Sequence, residues 1–137
     1  MIRTIKLSDS YEISIIEKEN FKWFFRRKKE TIEKMISNKK YEIYVSENSW
    51  IEWYIFLELS NWFLYIENIS VNKKFQWKWI WKKLMIKAEE VAERIWYKAL
   101  VLDVLKNNNA AISLYEKFWY KLYKKWKSQI KMFKKLT

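Results

Sequence analysis

The sequence predicts an α/β (α+β) fold of one domain over residues 1–137: a central, mixed and mostly antiparallel sheet with helices on both faces. Three observations carry this. Strand-like and helix-like patterns follow one another in the order β-α-α-β-β-β-α-β-α-β-β. The amphipathic stretch at residues 80–95 lies between two apolar runs, which is the crossover a parallel strand pair requires. Half the residues are hydrophobic, enough for a core at this length although 32% are charged.

Residues 2–7 alternate as a first strand, and Ser8, Asp9 and Ser10 then read as a helix start. Asp9 with Glu12 three residues on has the spacing of a capping box, and Ile13, Ile16 and Phe21 give residues 10–20 an apolar face. A second helical pattern covers residues 24–36, with Phe25, Ile32, Met35 and Ile36 apolar. Residues 41–46, 51–59 and 63–71 are rich in Tyr, Ile, Val and Phe, and the separators Glu47-Asn48-Ser49-Trp50 and Ser60-Asn61-Trp62 predict an antiparallel meander. The helix at 80–95 carries Leu84, Met85, Ala88, Val91, Ala92 and Ile95 on one face and ends near Trp96, where a glycine cap is expected. Residues 99–105, apolar except for Asp103, predict a buried central strand. A short helix at 109–118 and a hairpin of 120–124 with 129–133 around Trp126 close the chain.

Cysteine and histidine are both absent. That removes thiolate nucleophiles, Ser-His-Asp catalysis and the common zinc sites, and leaves Asp, Glu, Tyr, Lys and water for proton transfer; no metal is expected. The longest apolar runs fall far below the roughly 20 residues of a membrane span and no signal peptide is visible, so a cytoplasmic protein without a membrane partner is expected. The net charge is +12, but Lys outnumbers Arg 24 to 4 and Pro is missing, so coding bias accounts for the overall charge. Function is read only into the cluster Lys73, Lys74, Lys78, Lys82 and Lys83.

That cluster sits in VNKKFQWKWIWKKL, residues 71–84, where a strand runs through a short basic loop into a helix start. Such a junction grips phosphate, because backbone N–H groups and the helix dipole point at the anion. With glycine in place of each tryptophan, residues 76–81 would read QGKGIG, which resembles the acyl-CoA signature [R/Q]-x-x-G-x-[G/A] of the GNAT superfamily of N-acetyltransferases. A second stretch, NNNAAISLYEKFWY at 107–120, resembles the family signature N-x-x-A-x-x-L-Y-x-K-x-G-[FY], with Asn108, Ala111, Leu114, Tyr115, Lys117 and Tyr120 matching and Trp119 in the glycine position. Leu102-Asp103-Val104 resembles the L-[ED]-V strand of its N-terminal and ribosomal-protein acetyltransferases.

The resemblance implies a GNAT-like fold with the fourth and fifth strands parallel but splayed, acetyl-CoA as co-substrate, and direct transfer of acetyl to an amine in a ternary complex. It implies that the pyrophosphate lies on the backbone of Gln76, Trp77, Lys78, Trp79, Ile80 and Trp81 beside Lys82 and Lys83. The pantetheine would run along Ile69, Ser70 and Val71, with Asn108 and Ala111 nearby. Tyr115 would protonate the leaving thiolate, or else pack its helix on the sheet. Asp103 and Glu67 compete for the base, and Phe24, Phe25 and Glu30 border the acceptor. The acceptor would be a protein N-terminus or a small amine, with a ribosome-bound or acidic acceptor a further partner. Taken literally, FQWKWIWKK supports a rival reading as a nucleic-acid-binding module, and a third reading is a fold whose tryptophans block the CoA loop. The chain has no glycine and ten tryptophans, and Trp50, Trp62, Trp77, Trp79, Trp81, Trp96, Trp119 and Trp126 stand where backbone freedom is wanted. An AT-rich gene using UGA for glycine would produce this pattern if UGA were read as tryptophan.

Overall fold

The computed structural model describes residues 1–21, 26–75 and 78–136, without the side chain of Lys78. Its seven strands form one sheet in the order β1-β2-β3-β4-β5-β7-β6: β1 (Ile2–Thr4), β2 (Tyr41–Asn48), β3 (Trp50–Leu59), β4 (Phe63–Val71), β5 (Ala99–Leu105), β6 (Lys121–Lys125) and β7 (Gln129–Lys135). All neighbours are antiparallel except β4 and β5. The helices are α1 (Ser10–Asn20), α2 (Lys29–Ile36), α3 (Lys78–Arg94) and α4 (Asn109–Lys117). The predicted element order and the mixed, mostly antiparallel sheet are therefore observed.

Alternation in β3 divides the core. Trp53, Ile55 and Leu57 face α3, meeting Leu84, Met85, Ala88, Val91 and Ala92, while Tyr54 and Phe56 face Ile13 and Ile16 of α1 and Ile32 of α2. α4 lies on the α3 side, where Tyr115 joins that core. β6 forms one edge of the sheet, and all five of its residues are exposed.

Four local expectations are corrected. β1 stops at Thr4 because Asp9 accepts from the Lys6 N–H (2.7 Å) and from Arg3 Nη1 and Nη2 (2.7 and 2.9 Å), drawing residues 7–9 into a single 3-10 turn. Asp9 and Glu12 thus form no capping box, for Glu12 accepts from the Ile51 N–H at 2.6 Å instead. α2 begins at Lys29 and not at residue 24, because Lys28 is extended and the Arg27 N–H is taken by Glu17 (3.1 Å) rather than by a helical carbonyl. Phe24 and Phe25, offered as acceptor contacts, and Trp23 lie outside the described residues. α3 begins at Lys78, two residues earlier than the periodicity indicates.

The ends of α3 and α4 share one backbone device. Trp96 N–H bonds to Glu93 C=O (3.1 Å) and Tyr97 N–H to Ala92 C=O (2.9 Å); Trp119 N–H bonds to Glu116 C=O and Tyr120 N–H to Tyr115 C=O, both 3.0 Å. Each pair is a Schellman cap, whose C′ residue must be left-handed. Trp96 has φ 66° and Trp119 φ 73°, a conformation that costs a residue bearing Cβ roughly 1–2 kcal/mol. Ser49 (φ 69°), alone between β2 and β3, is the third such residue among those described.

Leu84 is fully enclosed beneath the sheet, whereas Ile86 on the same helix is 44% exposed. Leu84→Ala is expected to cost about 2–5 kcal/mol in denaturant unfolding, and Ile86→Ala to stay within about 0.5 kcal/mol of the parent.

Candidate active site

β4 and β5 pair only from Phe63–Ala99 to Ile66–Leu102. Beyond that point β5 stays bonded to β7 as far as Leu105–Gln129, and β4 to β3 as far as Val71–Trp53, so the two strands part. A cleft of about 730 Å³ occupies the gap. A bulge sets its floor: Ile66 opposes Leu57 and Asn68 opposes Phe56, which leaves Glu67 as the extra residue of β4.

The three expected catalytic side chains converge here, Glu67 from β4, Asp103 from β5 and Tyr115 from α4 all lining the cleft. Ile69, Ser70, Val71, Trp81, Asn108 and Ala111 line it as well. Asn108 also caps α4, its Oδ1 accepting from Ala111 N–H at 3.2 Å, so the capping role foreseen for it is present. Other cofactor candidates stand differently. The Ile80 side chain is buried in the core and has only its backbone to offer, while Trp79, Lys82 and Lys83 point outward, with Lys83 Nζ 4.5 Å above the Trp79 ring. Lys73 takes the place of these lysines on the cleft wall. Gln76, Trp77 and the Lys78 side chain lie outside the described residues. Glu30 is exposed on the first turn of α2 and does not line the cleft.

Glu67 and Asp103 are held alike. The Arg27 guanidinium binds Glu67 Oε1, while Glu67 Oε2 is buried with no hydrogen-bond partner among the described residues. Asp103 Oδ2 accepts from the Tyr65 hydroxyl and from Lys131 Nζ (3.4 Å), and Oδ1 is likewise buried and unpartnered. Each carboxylate thus has one oxygen on a fixed donor and the other without a partner among the described residues. Arg27 is itself anchored by Glu17, which has no solvent exposure and accepts from Arg27 N–H (3.1 Å), Arg27 Nη1 (3.5 Å), Asn68 Nδ2 (3.1 Å) and the Tyr54 hydroxyl. Burial pushes the Tyr115 phenol up to about 12, and raises Tyr54, Tyr65 and Tyr120 as well, Tyr54 and Tyr65 with help from the carboxylates they bond.

Sequence reasoning missed Glu17, Asn20, Arg27, Tyr65 and Lys131. Asn20 Nδ2 ties the end of α1 to Ser70 Oγ and to Val71 C=O (2.9 Å). Glu17 left a readable signal: it continues the Ile13–Ile16 face of α1 and so predicts a buried carboxylate, which needs partners.

The donor set suits a thioester nucleotide. A helix N-terminus favours anions through its dipole, and α3 starts beside the cleft, where Trp81 of its first turn and Lys73 form part of the wall, while Ile69, Ala111 and Leu114 make it apolar elsewhere.

A family model described as acetyltransferase (GNAT) family matches residues 10–119. Among solved structures, the PaiA N-acetyltransferase from Thermoplasma acidophilum in complex with coenzyme A superposes with a TM-score of 0.88 at 20% identity, over 99% of this chain and 98% of that one. The ribosomal-protein-S18-alanine N-acetyltransferase from Escherichia coli gives 0.85 at 18% identity, over 98% and 92%. A GNAT family acetyltransferase from Elizabethkingia anophelis with acetyl-CoA bound gives 0.77 at 19% identity, over 99% and 97%. At these identities the likenesses show a shared fold. Comparison with curated proteins gives no match.

The Tyr115 phenol, ordinarily near 10.0 and near 12 when folded, binds its proton more tightly in the native state. Its contribution to stability is complete below pH 10 and lost as pH rises toward 12. Unfolding free energy measured in denaturant should therefore fall across that window, and Tyr115→Phe should make the fall shallower.

Proposed function

The chain belongs to the acetyltransferase (GNAT) family, and from that premise we propose that it transfers the acetyl group of acetyl-CoA directly to an amine entering the cleft between β4 and β5. The observation that carries this is the convergence of Glu67, Asp103 and Tyr115, from three separate elements, on the place where the sheet opens. Bound acetyl-CoA supplies an acetyl group activated as a thioester. The first turn of α3 and Lys73 would hold its phosphates, and the parted edge of β4 near Ile69 would receive its pantetheine.

The acceptor arrives as an ammonium and must lose a proton before its nitrogen can attack. Glu67 Oε2 and Asp103 Oδ1, both buried and unpartnered among the described residues, hold the ammonium and take that proton directly or through water. Tyr115 remains protonated throughout the neutral range. Full transfer from a phenol near 12 to a thiolate of pKa about 8.5 runs uphill, so Tyr115 acts first as a hydrogen-bond donor to the departing sulfur. The proton given up by the amine finally balances the thiol.

A protein N-terminal amine is the favoured acceptor on the strength of the L-D-V strand and the Asn108 to Tyr120 motif; a small amine is the alternative. A cytoplasmic setting fits both substrates, and no helix among the described residues is long and apolar enough to cross a membrane. The nucleic-acid reading draws less support. Among the described residues its tryptophans do not share one face, since Trp81 lines the cleft and Trp79 points outward.

Turnover, followed as free thiol released from acetyl-CoA in the presence of peptide and polyamine acceptors, should fall about 10²–10⁴-fold in Tyr115→Phe with acetyl-CoA affinity nearly intact. An unchanged turnover would reduce Tyr115 to packing. Between Glu67→Gln and Asp103→Asn, the variant that removes the acidic inflection in kcat/KM identifies the proton acceptor.

A further inference from the structure

We propose that all ten tryptophan positions carry glycine in the protein as its own cell makes it, because UGA codons of the gene are read there as glycine. The backbone argues this independently of the family. α3 and α4 both end in Schellman caps, and in both the left-handed C′ position holds tryptophan. That position favours glycine because Cβ collides with the backbone there, and an indole adds nothing in return: Trp96 is 90% exposed and Trp119 76%. Trp62 and Trp126 occupy strand connections and Trp50 follows the left-handed Ser49, all with exposed rings.

Composition points the same way. Codon bias toward A and T would remove glycine and proline together, and both are absent, but it would remove the UGG codon of tryptophan too. Instead ten of 137 residues are tryptophan, close to the usual glycine share of about 7%. One codon has one reading, so Trp23, Trp53 and Trp77 follow the rest. Trp53 is the enclosed one, 1% exposed, and glycine there opens space beside its strand partner Val71 at the cleft's edge.

For the active site the consequence rests on the acetyl-CoA reading above. Trp81 lines the cleft and Trp79 stands on the same first turn of α3. Glycine at both would let a pyrophosphate approach the backbone of the helix N-terminus without a side chain beside it, and would remove the Trp81 ring from the cleft wall.

Three measurements test the proposal. Mass spectrometry of peptides from protein purified out of its native host should show glycine at 96 and 119; tryptophan there overturns it. In the chain as printed, Trp96→Gly with Trp119→Gly should raise Tm by about 5 °C or more, while the paired alanine substitutions should raise it far less. Equal effects would remove the backbone argument, and this double variant alters two surface residues only, so it does not depend on the ten-site form folding. Replacing all ten by glycine should tighten binding of CoA at least tenfold, and unchanged measurable binding counts against the proposal. Glycine found in the native peptides together with no CoA binding by either form would leave the recoding standing and sink the acetyl-CoA reading.

Discussion

The structure depends on one unfinished pairing. Parallel strands joined by a helix normally stay bonded along their length, yet β4 and β5 hold together for four residue pairs and then separate. Each strand can leave because its other edge is already bonded, β4 to β3 and β5 to β7. Where the two edges part, their backbone groups must find partners other than each other, as Val71 C=O does in Asn20 Nδ2. α3 closes one side of the fork and α4 leans across its mouth, so the sheet's defect becomes a walled cleft.

Charge is distributed to match. The chain is strongly basic overall, yet carboxylates gather around the fork: Glu19, Glu67 and Asp103 line the cleft, and Glu17 holds Arg27 on its wall. Glu17 has no solvent exposure and is satisfied on both oxygens, so it acts as a post to which Arg27 is tied. Arg27 in turn fixes one oxygen of Glu67, as Tyr65 and Lys131 fix one of Asp103. Removing Arg27 would leave the enclosed Glu17 and the half-buried Glu67 without their shared cation, which is costlier than breaking an exposed pair.

The strands were legible because burial on alternate faces writes itself into sequence with period two; β4 and β5 begin and end where the pattern says. Tyr115, Asp103 and Glu67 were legible for a different reason, motif resemblance and element order. What stayed hidden has long-range causes. Asp9 has capping spacing but a stronger partner in Arg3, Glu12 is claimed by a strand far along the chain, and α2 starts late because Glu17 holds the Arg27 backbone. The bulge at Glu67 leaves no mark in its own letters, since it appears only when β4 is laid against β3.

β6 forms an open border of the sheet and offers its unpaired amides to solvent, with Leu122 and Tyr123 exposed beside them. Such a border invites the same strand of another molecule. Lys121, Lys124 and Lys125 lie along it, and residues 118–137 contain no acidic side chain, so two copies approaching edge to edge repel each other. This guard is made of screened charge: its reach shrinks from about 10 Å at 0.1 M salt to about 3 Å at 1 M. The protein therefore keeps its copies apart by charge as much as by shape, and concentrated salt is the condition under which its solubility is least protected.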